Sequence, residues 1–131
     1  MNSEAMIMTI KVRLFKTIGN YVAIEVPAEK AVNIINILCA GLGRGGEDVK
    51  DAIRMIEHFE TFYDLMRRKF KEYLTPRKDV GDILKKRVLI DKIKLLKRDG
   101  NKFVEIIFDK SISLEEVLDI LKRNNIEVKE N

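Results

Sequence analysis

Residues 6–16 alternate, with Met8, Ile10, Val12 and Leu14 on one face and Thr9, Lys11 and Arg13 on the other. Period two over this length predicts a half-buried strand. Gly19 and Asn20 then turn the chain into a second strand over 21–26, where Val22, Ile24 and Val26 share a face and complete a hairpin. Pro27 closes that strand and opens a helix over 28–40, with Ala31, Ile34, Ile35 and Leu38 as its apolar stripe.

Gly41, Gly43, Gly45 and Gly46 punctuate the end of this helix. A single long helix is predicted over 46–75. Its Val49, Ala52, Ile56, Phe59, Tyr63, Met66, Phe70 and Tyr73 recur at 3-4 spacing, the pattern of an a/d seam. A helix of about 28 residues is ~42 Å long at 1.5 Å per residue, longer than a domain of this size is wide. It should overhang the domain or meet a second copy, which makes Ile56, Phe59, Tyr63, Met66 and Phe70 the candidate seam of a homodimer. The same stripe also fits packing on the sheet, which its aromatic residues favour.

Thr75 and Pro76 are an N-cap and first-turn pair for a short helix over 76–86, carrying Val80, Ile83 and Leu84. A second hairpin follows over 88–98 and 102–108, joined at Asp99-Gly100-Asn101. Ser113 and Glu116 form a capping box for a helix over 114–124, and 126–128 is a last short strand.

The predicted fold is α+β. A mainly antiparallel sheet of about five strands arises in the order ββα–αα–ββαβ, with helices on one face and one long central helix, in a single domain over 1–131. Residues 11–20 and 92–101 align without gaps and are identical at five of ten positions. Either a ββα unit is duplicated or two hairpins share the same turn chemistry.

Charge changes the picture most. Residues 67–102 hold 14 Lys/Arg and 5 Asp/Glu, whereas the rest of the chain holds 11 and 16. A basic block this dense in an otherwise acidic chain predicts a polyanion partner, nucleic acid first, either DNA or RNA. Its candidate contacts are Arg67, Arg68, Lys69 and Lys71, then Arg77, Lys78, Lys85, Lys86 and Arg87, then Lys92 and Lys94 on one strand face. Lys11 and Arg13 occupy the equivalent positions of the first hairpin. With Tyr21 and Phe103 they would give an outer sheet face of cations and aromatics, as single-strand binders use. A solvated surface of the kind common in thermophiles is the plainer explanation of the same charges. An acidic protein partner is the alternative from another class.

Catalytic chemistry is thinly represented. His58 is the only histidine and Cys39 the only cysteine, so a zinc module is excluded and a reducing, cytoplasmic setting is expected. No cofactor motif is present. The loop 41–46 offers Arg44 and backbone amides to an anion, but it joins helix to helix and Glu47 and Asp48 follow it, so it reads as an interhelical turn. Ser111 and Ser113 read as turn and cap residues. Asp91, Asp99, Glu105 and Asp109 lie near lysines, as in a metal-dependent nuclease, which is the third expectation. The N-terminus has no basic region ahead of its apolar residues and is not expected to be a signal peptide. No apolar run is long enough to span a membrane. Abundant Lys and Ile without Gln fit a thermophile, archaeal or viral in flavour, or an AT-rich genome.

Overall fold

The alternation in the first hairpin sets the sheet. In the computed structural model, which describes residues 11–130, β1 (Lys11–Lys16) and β2 (Val22–Pro27) pair antiparallel with Arg13 opposite Glu25. Met8 and Ile10 of the predicted strand lie outside the described residues. Helix α1 (Ala28–Leu42) follows, its Ala31, Ile34, Ile35 and Leu38 fully buried. After α2 (Glu47–Glu57), α3 (Phe59–Arg68) and the short α4 (Val80–Leu84) come β3 (Ile90–Arg98) and β4 (Asn101–Phe108). Helix α5 (Leu114–Arg123) and β5 (Glu127–Glu130) complete the chain.

The sheet is mixed and five-stranded, in the order β3-β4-β2-β1-β5, with only β5 running parallel to its neighbour. The fold is therefore α+β, as expected. Val12, Leu14, Ile24, Val26, Ile93, Leu95, Val104 and Ile106 line one face, and the buried sides of α1, α2, α3 and α5 join them in one core. Helices α1 and α5 approach closely at Gly41. A Cβ there would lie 2.7 Å from the Ile120 side chain, so the crossing requires glycine.

The hairpins are related by a local two-fold. They meet through the antiparallel β2–β4 pair, and each is followed by a helix on the same face. Glu25 lies opposite Glu105 at the centre of the pairing, with Arg13 beyond one and Lys94 beyond the other. The middle row of the outer face thus reads Arg13, Glu25, Glu105, Lys94, a palindrome of charge.

The long helix over 46–75 is corrected. It breaks at His58 (φ −108°, ψ 46°) and stops at Lys69, leaving α2 and α3. The stripe of Val49, Ala52, Ile56, Phe59 and Met66 continues through the break and is buried in the chain's own core. A straight rod would leave a twisted sheet after a few turns, and the break lets α3 stay on it. The helix over 76–86 is corrected as well. Leu74 pairs with Ile93 along the free edge of β3, and Asp51 accepts the Arg77 amide at 2.8 Å, so the chain stays extended until Asp79 caps α4.

Two buried carboxylates on α2 fasten this connection. Asp48 is fully buried, and its Oδ2 accepts the amides of Leu89 and Ile90 at 2.9 and 2.8 Å. Its Oδ1 accepts the Gly46 amide at 3.0 Å. Asp51, one turn on, takes Arg54 Nη2 at 2.6 Å. Burial pushes its carboxyl up, but the Arg77 amide and the Arg54 guanidinium outweigh that and hold it below the usual range.

Candidate nucleic-acid interface

The basic block divides by its partners. Arg68 pairs with Asp64 at 2.9 Å, Lys94 with Glu72 at 3.8 Å, and Arg77 with Glu47 and Asp51 at 3.9 and 3.8 Å. Lys11 pairs with Glu127 at 3.9 Å and Arg13 with Glu25 at 3.0 Å. Lys97 and Lys102 both hold Glu60, at 2.7 and 2.6 Å, and Arg98 holds Glu25. Hydrogen bonds from Lys102 and Lys97 keep the Glu60 carboxyl below its ordinary value. Among the described residues, Arg67, Lys69, Lys71, Lys78, Lys85, Lys86, Arg87 and Lys92 form no ion pair with a carboxylate.

Three groups result. Arg67, Lys69 and Lys71 surround the end of α3 beside the exposed Phe70. Lys85, Lys86 and Arg87 follow α4, whose Val80, Ile83 and Leu84 are 68, 51 and 77% exposed. Lys92 and Lys94 lie on the outer sheet face with their Nζ atoms 5.9 and 5.6 Å from the Tyr73 ring.

The outer face carries the expected mixture. Lys11, Arg13, Lys92 and Lys94 share it, as do Phe103 and Phe15. The Arg13 guanidinium stacks 4.1 Å from the Phe15 ring, and Arg98 lies 4.6 Å from Phe103. Tyr21 borders a hollow on the same side with Tyr73 and Lys92. Its charge is more balanced than the sequence suggests, because Glu25 and Glu105 occupy its centre. Burial pushes the Glu105 carboxyl up despite Lys94 and Arg13. Burial also pushes Glu25 up, but hydrogen bonds from Arg13 and Arg98 bring it below the ordinary value.

A cleft of about 420 Å³ lies between the loop after α1, α4 and the turn after β4. Arg44, Lys78, Lys86 and Lys110 line it together with Asp91, Asp109 and Ser111. Arg44 Nη2 donates to the Val88 carbonyl at 2.5 Å and to Asp109 Oδ2 at 3.2 Å. Lys78 Nζ donates to the carbonyls of Asp91 and Pro76 at 2.9 and 3.3 Å. Asp109 also accepts the Ser111 hydroxyl at 2.5 Å. Burial raises its carboxyl, and the Ser111 and Arg44 bonds more than offset the rise, holding it below the usual range. Asp91 borders both this cleft and the Tyr21–Tyr73 hollow, so the two basic regions are contiguous.

Sequence reasoning found Lys78 and Lys86 but not the cleft, since Arg44 and Asp109 are 65 positions apart. The one signal was Arg44 in the glycine loop. That loop packs on α4, where a Cβ at Gly46 would lie 2.2 Å from the Asp82 carboxylate.

Of the expected seam, Ile56, Phe59 and Met66 are buried within the chain's own core. Tyr63 is half-buried and stacks on Phe59 with centroids 5.8 Å apart, and Phe70 is 96% exposed. Of the nuclease candidates, Asp91 lines the cleft whereas Glu105 sits mid-sheet opposite Lys94. No group of three His, Cys, Asp or Glu side chains is placed to hold a metal ion among the described residues. Among those residues no helix is long and apolar enough to cross a membrane.

Comparison with protein-family models, with curated proteins and with solved structures finds no match to this chain.

Proposed function

We propose that this is a small non-enzymatic nucleic-acid-binding protein whose affinity is largely electrostatic and tolerant of sequence. One observation carries the reading: among the described residues, Lys69, Lys71, Lys85, Lys86 and Arg87 stay exposed and without carboxylate partners, although the chain is rich in acidic residues. Unpaired cations grouped on one stretch repel one another and are retained at a cost to the fold. A phosphate backbone relieves that repulsion, and the adjoining sheet face offers rings for stacking.

Binding of a fluorescent single-stranded oligonucleotide across a salt series tests the reading. With about five phosphate contacts, log K should fall against log salt with a slope of about −3.5 to −4.5. Charge reversal at Lys69, Lys71, Lys85 and Arg87 should abolish binding, while reversal at Lys122 and Arg123 should leave most of it. Equal loss from both sets would dismiss a site.

A second reading is favoured by α4. Its exposed Val80, Ile83 and Leu84 lie beside Lys85, Lys86 and Arg87, the surface an acidic amphipathic segment of another protein would cover. Failure to bind any oligonucleotide at low salt would promote this partner. In either case we place the protein in the cytoplasm, where its single Cys39 stays a thiol. Burial, with some help from Asp48, pushes that thiol up to about 11.

A further inference from the structure

We infer that the cleft between the α1–α2 loop, α4 and the β4–α5 turn binds a phosphate monoester as its dianion. The inference deepens the proposed function, because such a group occurs at the end of a nucleic-acid strand as well as on small phosphate esters.

Cations converge here from separate parts of the chain: Arg44 after α1, Lys78 before α4, Lys86 after it and Lys110 beyond β4. Two are fixed by backbone carbonyls, Arg44 on Val88 and Lys78 on Asp91 and Pro76. A carbonyl orients Lys78 without neutralising it, so its charge stays available to a ligand, whereas Arg44 is also paired with Asp109. Against four cations the cleft holds Asp91 and Asp109, and Asp109 is already engaged by Arg44 and Ser111. The excess of two positive charges matches a monoester dianion better than a singly charged internal diester. In addition, Arg44 Nε is buried with no acceptor among the described residues.

The backbone at Lys86 is compatible with this site. It ends α4 in the left-handed region at φ +55°, with its amide on Ile83 and the next amide on Asp82. That is the position where helices ordinarily place glycine or asparagine. The chain does so after α1 and α5, with Gly43 and Asn125, whereas α3 ends on Phe70 at φ +52°. A lysine is costlier there than glycine. A role for its ammonium group in the cleft accounts for it.

The test uses calorimetry at low salt with inorganic phosphate, a 5′-phosphorylated oligonucleotide, a 3′-phosphorylated one and the hydroxyl-ended oligonucleotide. We expect saturable heat from phosphate beyond that of chloride at equal ionic strength. One or both phosphorylated ends should bind about tenfold tighter than the hydroxyl end, the equivalent of one charge-assisted contact. Lys86→Gly should raise thermal stability yet remove that ratio, and Lys78→Met should remove it too. Lys122→Met, outside both the cleft and the proposed contacts, should keep it. No heat from phosphate and equal affinity for all three oligonucleotides would overturn the inference while leaving nucleic-acid binding standing. Phosphate heat without oligonucleotide binding would do the reverse, assigning the cleft to a small phosphate ester. Phosphate heat that survives Lys78→Met and Lys86→Gly together would also overturn it, since the anion would then bind elsewhere.

Discussion

Glu25 and Glu105 face each other across the β2–β4 pairing, on the local two-fold, and their carboxyls are shifted in opposite directions. Like charges directly opposite on a sheet destabilise it unless others intervene. Arg13 and Arg98 both bond to Glu25, so it is the better charged of the two. Glu105 lies opposite Lys94 in the β3–β4 pair, with Arg13 farther off, and is half-buried.

The two should therefore respond oppositely to pH and to amide substitution. Glu25 has a lowered folded value, so its contribution is present above the unfolded value and is lost as pH falls through the folded one. Glu105 has a raised folded value, so its native form holds the proton more tightly and stability falls as pH rises through that value. Urea unfolding should show Glu25→Gln less stable at neutral pH by about 1 kcal/mol, and Glu105→Gln unchanged or more stable. A loss on Glu105→Gln equal to that on Glu25→Gln would contradict the arrangement.

Asp48 should be the most sensitive polar position of the fold. Three amides converge on its two oxygens, and two of them start the strand that follows α4. Asparagine has nearly the same shape, but either orientation turns an NH₂ group toward a donor. We expect Asp48→Asn to cost about 2–4 kcal/mol in chemical denaturation, from buried amides left without acceptors. A loss below ~0.5 kcal/mol would mean that these bonds do not hold the segment.

Both hairpins, α1 and α5 were legible because their signals are local. Alternation, the turns at Gly19 and Gly100 and the Ser113–Glu116 box all act within a few residues. The stretch 57–79 was not, because distant groups decide it. The periodicity from Val49 to Met66 is real, yet nothing in it marks the break at His58, which the path across the sheet imposes. Thr75 and Pro76 make a good cap in isolation, but Ile93 and Asp51 claim the backbone around them. The charge block was visible at once. Its division into paired and unpaired cations depends on Glu25 and Glu60, which only folding brings near it, and on Glu72, which folding sets against Lys94.

The rings of the outer face should contribute to single-strand binding separately from charge. Arg13 and Arg98 already stack on Phe15 and Phe103, so a base would slide between guanidinium and ring or displace the former. Phe15→Leu with Phe103→Leu keeps apolar bulk and removes the π-faces. Binding should weaken by about 1–3 kcal/mol for each base that stacks, with the salt slope unchanged. A flatter slope with these variants would mean that they disturb the cations rather than the stacking.

Self-association should require a polyanion. With Ile56, Phe59 and Met66 committed to the core, two copies would meet through Tyr63 and Phe70 alone, and Arg67, Lys69 and Lys71 oppose that contact by repulsion. Phe70 follows α3 at φ +52°, with its amide on Arg67 and the Lys71 amide on Met66, the same helix end that Lys86 forms. Phenylalanine is costly there, so Phe70→Gly should stabilise the isolated chain by about 1 kcal/mol. Light scattering at low salt should give the 15.2 kDa monomer, and a short oligonucleotide should raise the mass to a dimer. In Phe70→Gly the protein should still bind the oligonucleotide but remain a monomer. A dimer that persists in this variant would place the contact elsewhere, with the exposed Val80 and Leu84 of α4 next to be tested.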